Sequence, residues 1–164
     1  MAFDLEKINK AREQYNQVKV SYEEVLKRCR SKLRNALDEM LNSDEFEQAI
    51  QDCFLKSMSL RQPSLEGQII LELGDSIGGL ESKLALHVFF PDLCNDFPDF
   101  RFHREIEEEG RQEVEKAFDQ LAECKFFKDT FEGKLKELNT PHMLHHEECN
   151  LASGLWEIRF TIKP

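Results

Sequence analysis

Four residues in the last quarter of the 164-residue chain have side chains that bind metals: His142, His145, His146 and Cys149. Imidazole and thiolate suit zinc, and the run H-x-x-H-H-x-x-C brings them close together in sequence. Glu147 and Glu148 add carboxylates, so a metal-binding protein or a small hydrolase can be written on the stretch 142–149. The spacing argues against convergence. On a strand, side chains alternate, so His142 and His146 take one face while His145 and Cys149 take the other. A full ligand set therefore needs a loop or short helix here, or donors such as His87 and His103 from elsewhere. The simpler reading is an exposed edge strand, where His and Glu discourage pairing with another chain. On that reading no metal, cofactor or catalytic residue is assigned.

Other chemistry-bearing groups are more diffuse. His87, Glu72, Glu157 and Arg159 fall at strand positions that can share a solvent face, and a His–Glu pair there has the types for general acid–base work. No residue stands out as a nucleophile. Gly74-Asp75-Ser76 has the residue types of an esterase nucleophile motif, but it opens a hairpin loop rather than a strand-to-helix elbow. Gly78-Gly79 reads as a turn, because no phosphate-cradling glycine pattern accompanies it. A basic cluster, Lys27, Arg28, Arg30, Lys32 and Arg34, has the charge to meet nucleic acid. The formal net charge of −10 opposes that function, since phosphate backbones repel an acidic protein. A run of glutamates at 105–115, with Glu107, Glu108 and Glu109 at its centre, can pair with the basic cluster or meet a basic groove on another protein.

The elements that would position these groups are plainer. From Asp4 to Leu41 there is no Gly or Pro, and apolar residues recur at helical spacing. Ile8, Ala11, Tyr15, Val18, Tyr22, Val25 and Cys29 alternate steps of three and four, a heptad seam. Lys32 breaks the seam, and an offset stripe of Leu26, Leu33, Leu37 and Met40/Leu41 takes over. Such a helix is about 55 Å long, against an expected radius of gyration of about 15 Å for a domain of this size. Its first part, residues 1–25, is expected to project as an arm from a compact body of 26–164. A second helix is expected at 44–61, capped by Asn42 with Glu45 or by Ser43, and ended at 62–64. Strands are expected at 67–74 and 82–90, joined by a turn at 75–79. After an irregular link at 91–103, with 100–102 briefly extended, a third helix is expected from 104 to 138 with a kink point at Gly110. Strands at 143–149 and 155–162 complete the order ααββαββ. The fold class is α+β: three helices on a four-stranded antiparallel sheet of two hairpins, in a single domain.

Composition sets the remaining expectations. Residues 1–41 carry nine Lys/Arg and seven Asp/Glu, leaving thirteen and twenty-five for the rest, so the long helix is the electropositive part of an acidic protein. The charged start has no secretory h-region, no apolar run spans a bilayer, and five cysteines at wide spacing give no disulfide framework. A cytoplasmic protein without a membrane segment follows. The expected function is non-enzymatic binding of another protein, as adaptor, chaperone or acidic inhibitor. Ile8, Tyr15, Val18, Tyr22, Arg28, Arg30, Arg34, Glu107, Glu108 and Glu109 are the contact candidates, and a homodimer through 8–25 is one form of that contact.

Overall fold

The computed structural model describes residues 4–59, 65–75, 81–90, 100–107, 110–123, 125–150 and 154–163. For 53, 54, 56, 57, 65, 75, 81, 100, 107 and 145–150 it describes the backbone alone. Nine elements follow one another in those residues: α1 (Leu5–Leu41), α2 (Asp44–Ser59), β1 (Leu65–Asp75), β2 (Glu81–Phe89), β3 (Phe100–Glu107), α3 (Arg111–Glu123), α4 (Phe126–Glu137), β4 (His142–Asn150) and β5 (Leu155–Ile162). The class is α+β, as expected, with a long N-terminal helix. The count and order differ: five strands and four helices, in the order ααβββααββ. The expected helix end at 62–64, the tip of the first hairpin at 76–80, the link at 91–99, Glu108 and Glu109, and the turn residues 151–153 lie outside the described residues.

The sheet runs β3-β2-β1-β5-β4, and every pairing is antiparallel. The two expected hairpins, β1–β2 and β4–β5, join where β1 meets β5. Strict alternation decides which face is which. Ile69, Leu71 and Leu73 on β1, Leu84, Leu86 and Val88 on β2, and Trp156, Ile158, Phe160 and Ile162 on β5 are all buried on the inner face. That face also holds a ring cluster. Trp156 stacks on Phe127 at 5.5 Å and meets Phe118 at 4.9 Å, while Phe160 meets Phe131 at 5.3 Å and Phe90 at 5.7 Å. Gly67 makes the last contact feasible. A Cβ there would lie 2.7 Å from both the Phe160 and the Phe90 ring.

The expected third helix is corrected in two places. Residues 100–107 pair with β2 as an edge strand, with Phe102 opposite Leu86 and His103 opposite Ala85. The charged residues of this segment suit an edge, where they oppose pairing with another chain. Glu107 is thus the last residue of a strand rather than part of a helix. The helical remainder breaks at Lys125, which sits in the left-handed region at φ 55 and precedes α4. The break lets Phe118 of α3 and Phe127 of α4 both reach Trp156.

Helix α1 starts at Asp4, whose carboxylate accepts from the Lys7 N–H. Its buried residues begin at Leu26 and continue as Cys29, Leu33, Ala36, Leu37, Met40 and Leu41. Seam and offset stripe therefore merge into one buried face, and this half packs on α3 and β3. Ser43 caps α2: its Oγ accepts from the Phe46 N–H at 3.3 Å and donates to the Met40 carbonyl at 2.7 Å. Beside this corner lies a buried ammonium. Lys134 Nζ donates to Glu47 Oε1 at 2.8 Å and to Asn42 Oδ1 at 3.0 Å, tying α4 to the α1–α2 junction.

The Lys134 cluster gives an asymmetric expectation. Glu47 and Asn42 are solvent-accessible and can turn to water, whereas the ammonium cannot. Glu47→Ala should therefore lower stability by about 1–2 kcal/mol by leaving a buried cation short of an acceptor. Lys134→Met, similar in volume and apolar, should lower it by less. Urea denaturation of both variants checks this, and a larger loss in Lys134→Met contradicts it.

Candidate functional site

The histidine-rich run forms β4, an edge strand, and its pairing with β5 shifts between Leu144 and His146. This bulge changes which residues share a face. His142 lies opposite Ile162 and Cys149 opposite Trp156, both inner-face positions, while His146 lies opposite Arg159 on the outer face. His142 and His146, expected together on a regular strand, are thus on opposite sides. His142 and Cys149 share a side but stand opposite residues six apart on β5, about 20 Å at strand spacing. His142 also donates its Nδ1–H to the Thr140 carbonyl at 2.7 Å, leaving Nε2 as its one nitrogen for a ligand. Among the described residues no three His, Cys, Asp or Glu groups converge as metal ligands. The side chains of His145, His146 and Cys149 lie outside the description.

The outer face of the sheet does collect polar groups. In register across the strands run Arg101, His87, Ile70 and Glu157, and beside them His103, Ala85, Glu72 and Leu155. Arg159 Nε donates to Glu157 Oε1 at 3.2 Å. His103 is held below its ordinary 6.5, first by partial desolvation and then by the charges of Lys83 and Arg101. An imidazole in this setting favours its neutral form. No serine or cysteine stands at these positions. The face is a half-buried polar surface with a histidine disinclined to protonate.

The basic cluster of α1 is spent partly on the fold. Arg30 Nη1 donates to Gln120 Oε1 of α3 at 3.1 Å, and the Arg34 guanidinium lies 4.9 Å from the Phe126 ring of α4. Arg28 remains largely exposed and has interactions of its own. This helix thus meets α3 through the Gln120 amide and α4 through the Phe126 ring.

A cleft of about 310 Å³ opens between α2 and the α4–β4 connection, lined by Glu47, Ile50, Gln51, Leu55 and residues 138–140. Its one ionisable lining group, Glu47, is held by Lys134.

Among the described residues, the N-terminal half of α1 is the longest exposed stretch of helix. Every side chain from Asp4 to Glu24 is exposed except Ile8, which is half-buried. Tyr15 and Val18 are 68% and 69% exposed, Tyr22 is 42%, and Leu5 and Val20 are also exposed. Ile8, Tyr15, Val18 and Tyr22 keep the seam spacing along this exposed half. Among the described residues, no helix is long and apolar enough to cross a membrane. Comparison with protein-family models, curated sequences and solved structures gave no match.

Two measurements check these placements. Zinc added to untagged protein should leave the thermal midpoint unchanged, and His145→Ala/His146→Ala should behave like the parent. A zinc-dependent rise lost in that variant contradicts the register argument. For His103 the sign is fixed by its lowered pKa. The unfolded chain takes up the proton first as pH falls below 6.5, so stability declines on acidification through the folded pKa. His103→Gln should lose less stability than the parent between neutral pH and about pH 5, read as urea midpoints. An equal or greater loss removes His103 from that account.

Proposed function

We propose that the protein is a stoichiometric binder of another protein, an adaptor, chaperone or inhibitor, and that the N-terminal half of α1 is its docking element. The carrying observation is the stripe of exposed Tyr15, Val18 and Tyr22, extended by half-buried Ile8, on a helix continuous with the buried core. Isolated exposed apolar residues are ordinary on any surface. Residues repeating at heptad spacing along a helix form a strip, and a strip is what a groove or a second helix recognises. Tyrosines strengthen the reading, because they give a large contact area while tolerating water at the hydroxyl.

The acidic remainder of the chain supplies a second, less specific element. Carboxylates on α3 and at 105–109 favour encounter with basic partners and raise the association rate more than the affinity. The setting in this reading is the cytoplasm, where a buried thiol such as Cys29 stays reduced.

The test uses full-length protein carrying a benzophenone side chain at position 15, irradiated in extract of cells that naturally express it. A discrete cross-linked product is expected. Val18→Glu should abolish it without changing the thermal midpoint, since Val18 is exposed. Benzophenone at Gln112, an exposed position on the body, serves as control. A yield at position 15 no greater than at 112 overturns the reading.

A further inference from the structure

The charges that border the seam say what kind of surface it fits. In the heptad, Ile8, Tyr15 and Tyr22 occupy the a positions and Ala11 and Val18 the d positions. The flanking g positions are then Lys7, Gln14 and Ser21, and the flanking e positions are Leu5, Arg12 and Lys19. Every charged residue beside the exposed seam is therefore basic. The acidic residues of the same helical stretch, Glu6, Glu13, Glu23 and Glu24, fall at f, b and c, on the far side. The arm is nearly neutral as a whole but is rimmed by positive charge along its apolar strip.

This arrangement bears directly on self-pairing. In a parallel pair of helices, g of one faces e of the next heptad on the other, which sets Lys7 against Arg12 and Gln14 against Lys19. In an antiparallel pair, e faces e and g faces g, and again only basic and neutral groups meet. No orientation places a base opposite an acid. Lys7 has one local partner, Asp4, at 3.8 Å, but both groups are more than half exposed and such a pair contributes little. A lipid surface is a poor match for a different reason. Interfacial helices carry bases around a strongly apolar face, whereas this polar side carries Glu13, Glu23 and Glu24 and the strip, Ile8 apart, is made of Ala, Val and Tyr.

Resting on the docking function proposed above, we infer that the occupant of the arm is an amphipathic helix of a different protein whose apolar strip is bordered by carboxylates. Lys7, Arg12 and Lys19 read that border, and Tyr15, Val18 and Tyr22 fill the strip between. Like charges along the rim also keep copies of this chain apart, so the same three residues select for the partner and against self-association.

The probe is a four-heptad peptide with Val at a, Leu at d and Glu at every e and g, compared with the same peptide carrying Lys at e and g. The protein should bind the Glu peptide about tenfold more tightly than the Lys peptide, with the preference shrinking at high salt. Lys7→Glu/Arg12→Glu/Lys19→Glu should reverse the preference. Sedimentation without peptide should show a monomer. The inference is overturned by equal binding of both peptides, by a dimer in the absence of peptide, or by binding of phosphatidylserine vesicles in preference to the Glu peptide. Failure of the parent reading looks different. A benzophenone product at position 15 that survives the triple charge reversal sinks the acidic-helix inference alone, whereas absence of any such product sinks both.

Discussion

The contact between Trp156 and its two phenylalanines holds the layers together. The indole sits on β5, directly beside the junction of the two hairpins, and meets Phe118 of α3 and Phe127 of α4. Aromatic pairs of this kind contribute about 0.5–1.5 kcal/mol beyond area burial. The Trp156 Nε1–H has no hydrogen-bond partner among the described residues. An unsatisfied buried donor costs about 1–3 kcal/mol, so ring packing at this position outweighs a lost hydrogen bond. A single continuous helix would follow one straight path over the sheet. The turn at Lys125 gives two helices with separate approaches, and each delivers a ring to the same indole.

With α3 and α4 fixed in that way, only part of α1 has a surface to cover. Its buried face from Leu26 to Leu41, with Val25 packed beside it, closes the core, while the side chains from Asp4 to Glu24, Ile8 apart, are exposed. Unsupported helices of this length are marginal in water, and Tyr and Val are indifferent helix formers. What sustains the arm is continuity. Nucleation, the unfavourable step, is already achieved in the packed half, and each further residue adds a hydrogen bond for one residue fixed. The Asp4 cap closes the free end.

The alternating runs were the most legible part of this architecture. Ile69, Leu71 and Leu73, and again Trp156, Ile158, Phe160 and Ile162, name their inner face from spacing alone, and the register agrees. The change of stripe near Leu26 likewise marked where burial begins. β3 was harder because Arg104, Glu105 and Glu107 favour helix locally, and only pairing with β2 overrides that preference. The break at Lys125 had no Gly or Asn to announce it; a lysine in the left-handed region is set by packing on both sides. The bulge at 144–146 was equally silent, and one extra residue reversed the parity on which the histidine geometry depended.

A helix without glycine or proline from Asp4 to Leu41 is also a spacer of fixed length. Tyr15 stands eleven residues before Leu26, about 16 Å along the axis. A ligand gripped there is held at that distance from the body and at one bearing around the axis, since each residue turns the helix by about 100°. A flexible tether would fix neither quantity. On the proposed docking role, two molecules joined through this arm would meet in one relative orientation, and the length of the stem would be as much a part of the recognition as the residues at its tip.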